Sequence, residues 1–135
     1  MKVYFGIRTE QGCKVFTWDT LSPARPEPLD LALDLWNHSP AGFEWGYGGS
    51  GPAQLALAML RDCTDDDDFA VALHQPVKRA LVVALPKQVW SRTELEVLEC
   101  ALCHAQGDEQ KRFAARFLAL ARNRASKARG HHNGD

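Results

Sequence analysis

The residues with most chemical promise are Gly46-Tyr47-Gly48-Gly49-Ser50-Gly51. Glycines bare backbone N–H groups, and Pro52-Ala53-Gln54-Leu55 then opens a helix, whose positive end favours phosphate. Gly48, Gly49, Ser50 and Gly51 are therefore a candidate anion-binding turn. The segment is not a P-loop, because no Lys-Ser/Thr follows the last glycine. Nor is it the dinucleotide fingerprint, because the spacing is G-x-G-G-x-G without a surrounding βαβ unit. The plainer reading is a tight turn where the backbone passes close to a neighbour.

Five acids between Asp62 and Asp68 are broken only by Cys63 and Thr64, and Asp65, Asp66, Asp67 and Asp68 are consecutive. No EF-hand glycine or ligand spacing accompanies them. They form either a partner-binding surface or a solvated corner whose last acids sit on the positive end of the next helix. Glu44, between Phe43 and Trp45, is the best lone acid; a capping or surface carboxylate is its plainer role. His38 is a conceivable base, yet no acid stands at a recognisable spacing, and Asn37-His38-Ser39-Pro40 reads as a turn.

Cys100-Ala101-Leu102-Cys103-His104 spells a c-type haem attachment site, which needs export and an oxidising compartment. Met1 to Arg8 contains no apolar signal core. Zinc would need further ligands from Cys13, Cys63, His131 or His132, since there is no second CxxC. Two small cysteines on a helix packing face are the plainer reading. No catalytic group, metal or cofactor is expected.

The net charge of −1 conceals a polarity. Residues 1–110 carry nine Lys/Arg against sixteen Asp/Glu, and residues 111–135 carry seven against one. In that basic end Arg122, Arg124, Lys127 and Arg129 are candidates for nucleic-acid phosphates, without interleaved aromatics to stack bases. The cysteines are expected reduced, in the cytoplasm, and no run of 18 apolar residues predicts a membrane span.

Several elements must position these groups. Lys2 to Arg8 alternates, with Val3, Phe5 and Ile7 on one face, and Cys13 to Trp18 follows as a hairpin partner. Gly6 inside the first strand marks a bulge or a close backbone approach. Pro23, Pro26 and Pro28 mark a surface connector, and Leu29 to Trp36 is read as extended. Phe43, Trp45 and Tyr47 alternate as a strand with one aromatic face. Pro52 at the first helical position makes Gly51 the N-cap, with Gln54 reaching back toward it. The helix over 52–62 is apolar nearly all round and should be buried. A helical stripe of Phe69, Leu73, Val77, Leu81 and Ala84 is interrupted at Pro76. Ser91-Arg92-Thr93-Glu94 reads as a capping box for a helix to about Gln106, with Leu95, Leu98 and Leu102 inward. Gly107 and Asp108 separate it from a last helix to about Asn123, with Phe113, Phe117, Leu120 and Ala121 inward, the two forming an antiparallel hairpin.

The phrase Asn37-His38-Ser39-Pro40-Ala41-Gly42-Phe43-Glu44-Trp45-Gly46-Tyr47-Gly48-Gly49-Ser50-Gly51-Pro52-Ala53-Gln54-Leu55-Ala56 resembles the signature of a small domain-of-unknown-function family from phages, plasmids and other mobile elements. The opening hairpin and Leu85, Pro86 and Trp90 are similar too. The resemblance covers about residues 1–100 and implies a compact α+β domain in a mobile-element setting; it implies no reaction. The fold class is α+β: a small antiparallel sheet packed on a buried central helix, with a helical C-terminal half. Residues 1–100 form that domain, 101–124 a helical extension packed on it, and 125–135 a frayed basic tail. The expected function is a non-enzymatic interaction protein that binds a protein partner, such as a host CRISPR effector, through Asp65 to Asp68 and Glu44. The alternatives are a nucleic-acid accessory using the tail and a phosphate- or nucleotide-using enzyme at the glycine turn.

Overall fold

The computed structural model describes residues 1–133, and the side chains through residue 127. Strands β1 (Lys2–Thr9), β2 (Gly12–Asp19), β3 (Glu27–Pro28) and β4 (Val89–Thr93) form one antiparallel sheet in the order β3-β2-β1-β4. The helices are α1 (Ser50–Thr64), α2 (Asp67–Ala80), α3 (Glu94–His104) and α4 (Gly107–Asn133), with a 3₁₀ turn at Val82–Ala84. This is the α+β fold expected. No helix among the described residues is long and apolar enough to cross a membrane.

Helix α1 is the centre of the core. Every residue from Gly51 to Leu60 is buried, because small and aliphatic residues on all sides leave it no face for water. It starts earlier than expected. Gly49, not Gly51, is the N-cap, and Ala53 N–H donates to the Gly49 carbonyl. The missing N–H of Pro52 still falls in the first turn, where those donors have no partner within the helix, so the earlier start costs nothing there.

The sheet presents the opposite face to the one its apolar alternation suggests. Tyr4, Gly6 and Val15 turn inward, whereas Ile7 and Trp18 are 40% and 41% exposed. Four of the inward polar groups find partners beneath, Lys2, Tyr4 and Thr17 on Asp62 and Arg8 on Glu44, whereas the buried Trp90 Nε1 of β4 has no partner among the described residues. Satisfied polar groups can be buried. A Cβ at Gly6 would lie 2.3 Å from Trp90 Nε1, so the glycine marks a close approach, not a bulge.

Three local readings are corrected by long-range contacts. Residues 43–47 form no strand: Trp45 Nε1 donates to the Lys87 carbonyl at 2.9 Å and Gly46 N–H to that of Val82, outside any ladder. Leu29 to Trp36 is also not a strand; it turns at Ala32, and only Glu27–Pro28 pairs with β2. Val89–Thr93, by contrast, is strand β4 against β1, which moves the capping box two residues on, to Thr93 and Glu96. Helix α2 ends at Ala80, so Leu81 and Ala84 of its expected stripe fall in and before the 3₁₀ turn, while Phe69, Leu73 and Val77 are buried as expected. The α3–α4 hairpin forms as read, with shifted packing faces. Val97, Leu98 and Ala101 are buried on α3; Ala114, Leu118, Ala121 and Ala125 are buried on α4, leaving Phe113 and Leu120 exposed. Helix α4 also continues past Asn123 to Asn133.

Candidate functional site

The two ends of the inner sheet face are closed by one carboxylate each. At one end Asp62 accepts from the Tyr4 hydroxyl at 2.8 Å, Thr17 Oγ1 at 3.3 Å and Lys2 Nζ at 3.4 Å. Burial first, and then the neighbouring Cys63 and Asp62, raise the Tyr4 pKa well above its ordinary value, so this hydroxyl acts only as a donor. Beside it opens a cleft of about 710 Å³ edged by Asp30, Asp34, Asp62 and Asp65, with Arg61 and Lys2 among them. Arg61 bridges Asp34 at 2.7 Å and Asp67 at 3.3 Å, and its hydrogen bond holds the Asp34 carboxyl below the usual range. Acids from two segments distant in sequence thus share one rim.

The four consecutive aspartates have separate tasks. Asp66 is the N-cap of α2 and accepts from Phe69 N–H at 2.9 Å; Asp67 and Asp68 stand in its first turn, where the helix dipole favours them. Asp65, Asp67 and Asp68 remain exposed. Glu44 is not beside them. It accepts two bonds from Arg8, at 2.9 and 3.1 Å, and Arg8 lies over the Trp45 ring at 5.2 Å. That two-point pairing keeps Glu44 ionised below its ordinary range.

The glycine turn is built around the same residue. A Cβ on Gly51 would lie 2.6 Å from Glu44 Cβ and 3.1 Å from Glu44 N, so the backbone needs glycine there to pass. Gly48 and Ser50 face outward, and Gly49 abuts the Tyr47 ring. An anion at this helix end would have Glu44 as a neighbour. In the basic region Arg122 pairs with Glu99 at 3.4 Å, and Arg124 donates to the fully buried Glu94. Lys127 is exposed, and the Arg129 side chain lies outside the described residues.

Cys100 is half-buried on α3, and Cys103 and His104 are exposed. Cys63 is buried in α1, and Cys13 lies near Glu44, where burial and Glu44 push its thiol up to about 11. All four cysteines are free, and no group of three or more His, Cys, Asp or Glu suited to a metal occurs among the described residues. The His131 and His132 side chains lie outside those residues.

A cluster absent from the sequence reading joins the turn at His38 to α2. His38 Nε2 lies 3.0 Å from Nε2 of the buried His74. His74 Nδ1 is 2.7 Å from the Val71 carbonyl, an acceptor, so the proton is on Nδ1 and Nε2 carries the lone pair. The Trp36 ring stacks on His38 at 4.8 Å and tilts against His74 at 5.4 Å. Gln54 holds the loop in place instead of capping its own helix. Its carbonyl oxygen accepts from His38 and Ser39 N–H at 2.8 and 3.0 Å, and its amide donates to the Leu31 and Trp36 carbonyls. Burial lowers the pKa of both histidines, which favours the neutral form of each ring. The available signal was His38 and Gln54 within one motif; His74, in an ordinary helical stripe, offered none.

The family comparison agrees with the extent of the resemblance. The chain belongs to the Family of unknown function (DUF6166), whose model matches residues 4–102. The match contains nearly all of the sheet, α1, α2 and nearly all of α3, and α4 lies beyond it. No curated protein and no solved structure matches the chain.

Proposed function

We propose that this is a non-enzymatic interaction protein of a phage or mobile element. In this reading it acts in the cytoplasm by docking on a host protein complex, such as a CRISPR effector, and blocking it. The carrying observation is the outer face of the sheet. Val3 is paired with Trp18, Phe5 with Phe16, and Ile7 with Val89. Ile7, Trp18 and Val89 are 40%, 41% and 62% exposed. Side chains this apolar, contiguous and exposed mark an interaction surface more often than a solvent surface. The acidic rim of Asp30, Asp34, Asp65 and Asp67 is a second surface, whose potential complements a basic nucleic-acid groove and speeds encounter.

The test is affinity capture from bacterial lysate treated with nuclease, comparing the natural chain with Trp18→Lys/Val89→Lys and with Asp65→Lys/Asp68→Lys. The expected result is a stoichiometric protein partner, lost with the sheet-face pair and bound more slowly by the aspartate pair. Retention by the sheet-face variant, or no partner at all, would overturn the reading. Recovery of nucleic acid alone when nuclease is omitted would transfer the function to Arg122, Arg124, Lys127 and Arg129.

A further inference from the structure

We infer that the chain associates with a second copy of itself, strand β4 of each pairing antiparallel across a two-fold axis. This goes beyond the docking role proposed above and does not depend on it. The inference starts from the direction of the backbone groups. In an antiparallel ladder the residues of a strand bond alternately to one side and the other. Arg8 N–H donates to the Gln88 carbonyl at 2.9 Å, so Gln88, Trp90 and Arg92 are the residues that bond to β1. The far side of β1 agrees: Thr20 N–H donates to the Met1 carbonyl at 3.0 Å, which assigns the odd-numbered residues of β1 to β2 and leaves the even ones to β4. The N–H and C=O groups of Val89, Ser91 and Thr93 therefore point off the sheet. Strand β4 is its outermost strand there, and Val89 and Ser91 are exposed. Shortness and proline blunt such an edge. The opposite edge has both, since β3 is Glu27–Pro28, whereas β4 contains no proline.

The groups already engaged select one register and make the edge its own complement. Thr93 N–H donates to Glu96 in the capping box, and the Lys87 carbonyl accepts from Trp45 Nε1 and Arg8 Nε. Val89 and Ser91 N–H have no partner among the described residues. The Ser91 carbonyl accepts from Arg92 Nη1 and keeps a second lone pair. Val89 set opposite Ser91 of the second copy, and Ser91 opposite its Val89, satisfies all of them. A shift by two residues either way brings Thr93 or Lys87 into the ladder and loses bonds. The chosen register also matches charge. It places Lys87 opposite Thr93 of the second copy, where the Glu96 carboxylate sits on the Thr93 amide. Lys87 is exposed and makes no ion pair among the described residues. Glu96 is exposed too, with Arg92 Nε at 3.5 Å from one oxygen. Symmetry repeats the contact, as a two-fold interface requires. Two short strands bury less than the roughly 1,200 Å² of stable complexes, so the dimer exchanges with monomer. Val89 lies on the outer sheet face, and pairing makes the apolar faces of the two copies continuous across the seam.

The experiment follows tag-free full chain by sedimentation equilibrium from about 1 µM to about 1 mM. The mass is expected to rise from 15.0 kDa toward twice that value. Over the same range, amide exchange at Val89 and Ser91 should slow several-fold. Lys87→Glu should weaken association about tenfold, because two attractive contacts become repulsive. Trp18→Lys, on the outer face away from the seam, should associate as the natural chain does. Ser91→Pro removes a donor that β1 does not use and should be monomeric. Should that variant not fold, Lys87→Glu and the exchange rates decide. A monomer at every concentration overturns the proposal and leaves the edge to a strand of another protein. So does a dimer whose Val89 and Ser91 amides exchange as fast as in the monomer, equal association by Lys87→Glu, or loss of the dimer in Trp18→Lys.

Discussion

Arg124, near the far end of α4, donates to Glu94, which opens α3 and has no exposed surface. The other Glu94 oxygen accepts from the backbone N–H of Lys2. One buried carboxylate therefore ties the first strand, the third helix and the last helix together. Arg124 lies outside the family match, whereas Glu94 lies within it. Here the extra helix satisfies a charge in the family domain.

Arg124→Ala is expected to lower stability by about 2 kcal/mol, since a buried carboxylate loses its charged partner. Arg122→Ala, which loses only an exposed pair, should cost less than about 0.5 kcal/mol. Urea unfolding of both variants measures the contrast. Equal costs would mean that Glu94 has other support.

Gly51→Ala should destabilise by about 2 kcal/mol, because its Cβ meets the backbone and stem of Glu44. Gly49→Ala meets only the edge of the half-exposed Tyr47 ring, which can swing away, and should cost well under about 1 kcal/mol. Thermal melts of the pair separate a packing glycine from an anion-binding one. If both melt as the natural chain does, and phosphate raises the melting temperature of the natural chain alone, the packing account fails.

Gln54→Leu removes the buried partner of two half-buried N–H groups, of His38 and Ser39, and of the Leu31 and Trp36 carbonyls, while preserving much of the volume. The expected cost is about 3 kcal/mol, several unsatisfied groups at once. Amide hydrogen exchange should speed up at His38 and Ser39, the donors to Gln54, while the β1–β2 ladder stays protected. Unchanged exchange at those two amides would show that the loop is held by other contacts.

Stability should fall in mild acid through the histidine pair. His38 and His74 titrate below the ordinary value of about 6.5, with burial the largest cause. The unfolded chain therefore takes up protons first as the pH drops. The contribution is fully present above about pH 6.5 and is lost as pH falls through the unfolded value toward the folded ones. Unfolding midpoints at pH 7.5 and 5.5 should differ more for the natural chain than for His38→Phe. Equal differences would place the acid sensitivity elsewhere.

What the amino-acid order determined by itself was local. The β1–β2 hairpin follows from two alternating runs and a short turn, α1 from an apolar run after Pro52, and the α3–α4 hairpin from Gly107 between two periodic segments. Each depends on contacts a few residues apart, and so does the family phrase at 37–56. The tertiary structure decided which face of β1 turned inward, because the partners of Tyr4 and Arg8, Asp62 and Glu44, are 58 and 36 residues away. It decided that Val89–Thr93 was a strand, since Ser91-x-x-Glu94 and Thr93-x-x-Glu96 both spell a box and only pairing with β1 selects one. The exposed outer sheet face and the His38–His74 contact belong to the same class. Neither residue type nor spacing encodes them, because the groups that meet are brought together only when the sheet, α1 and α2 close on one core.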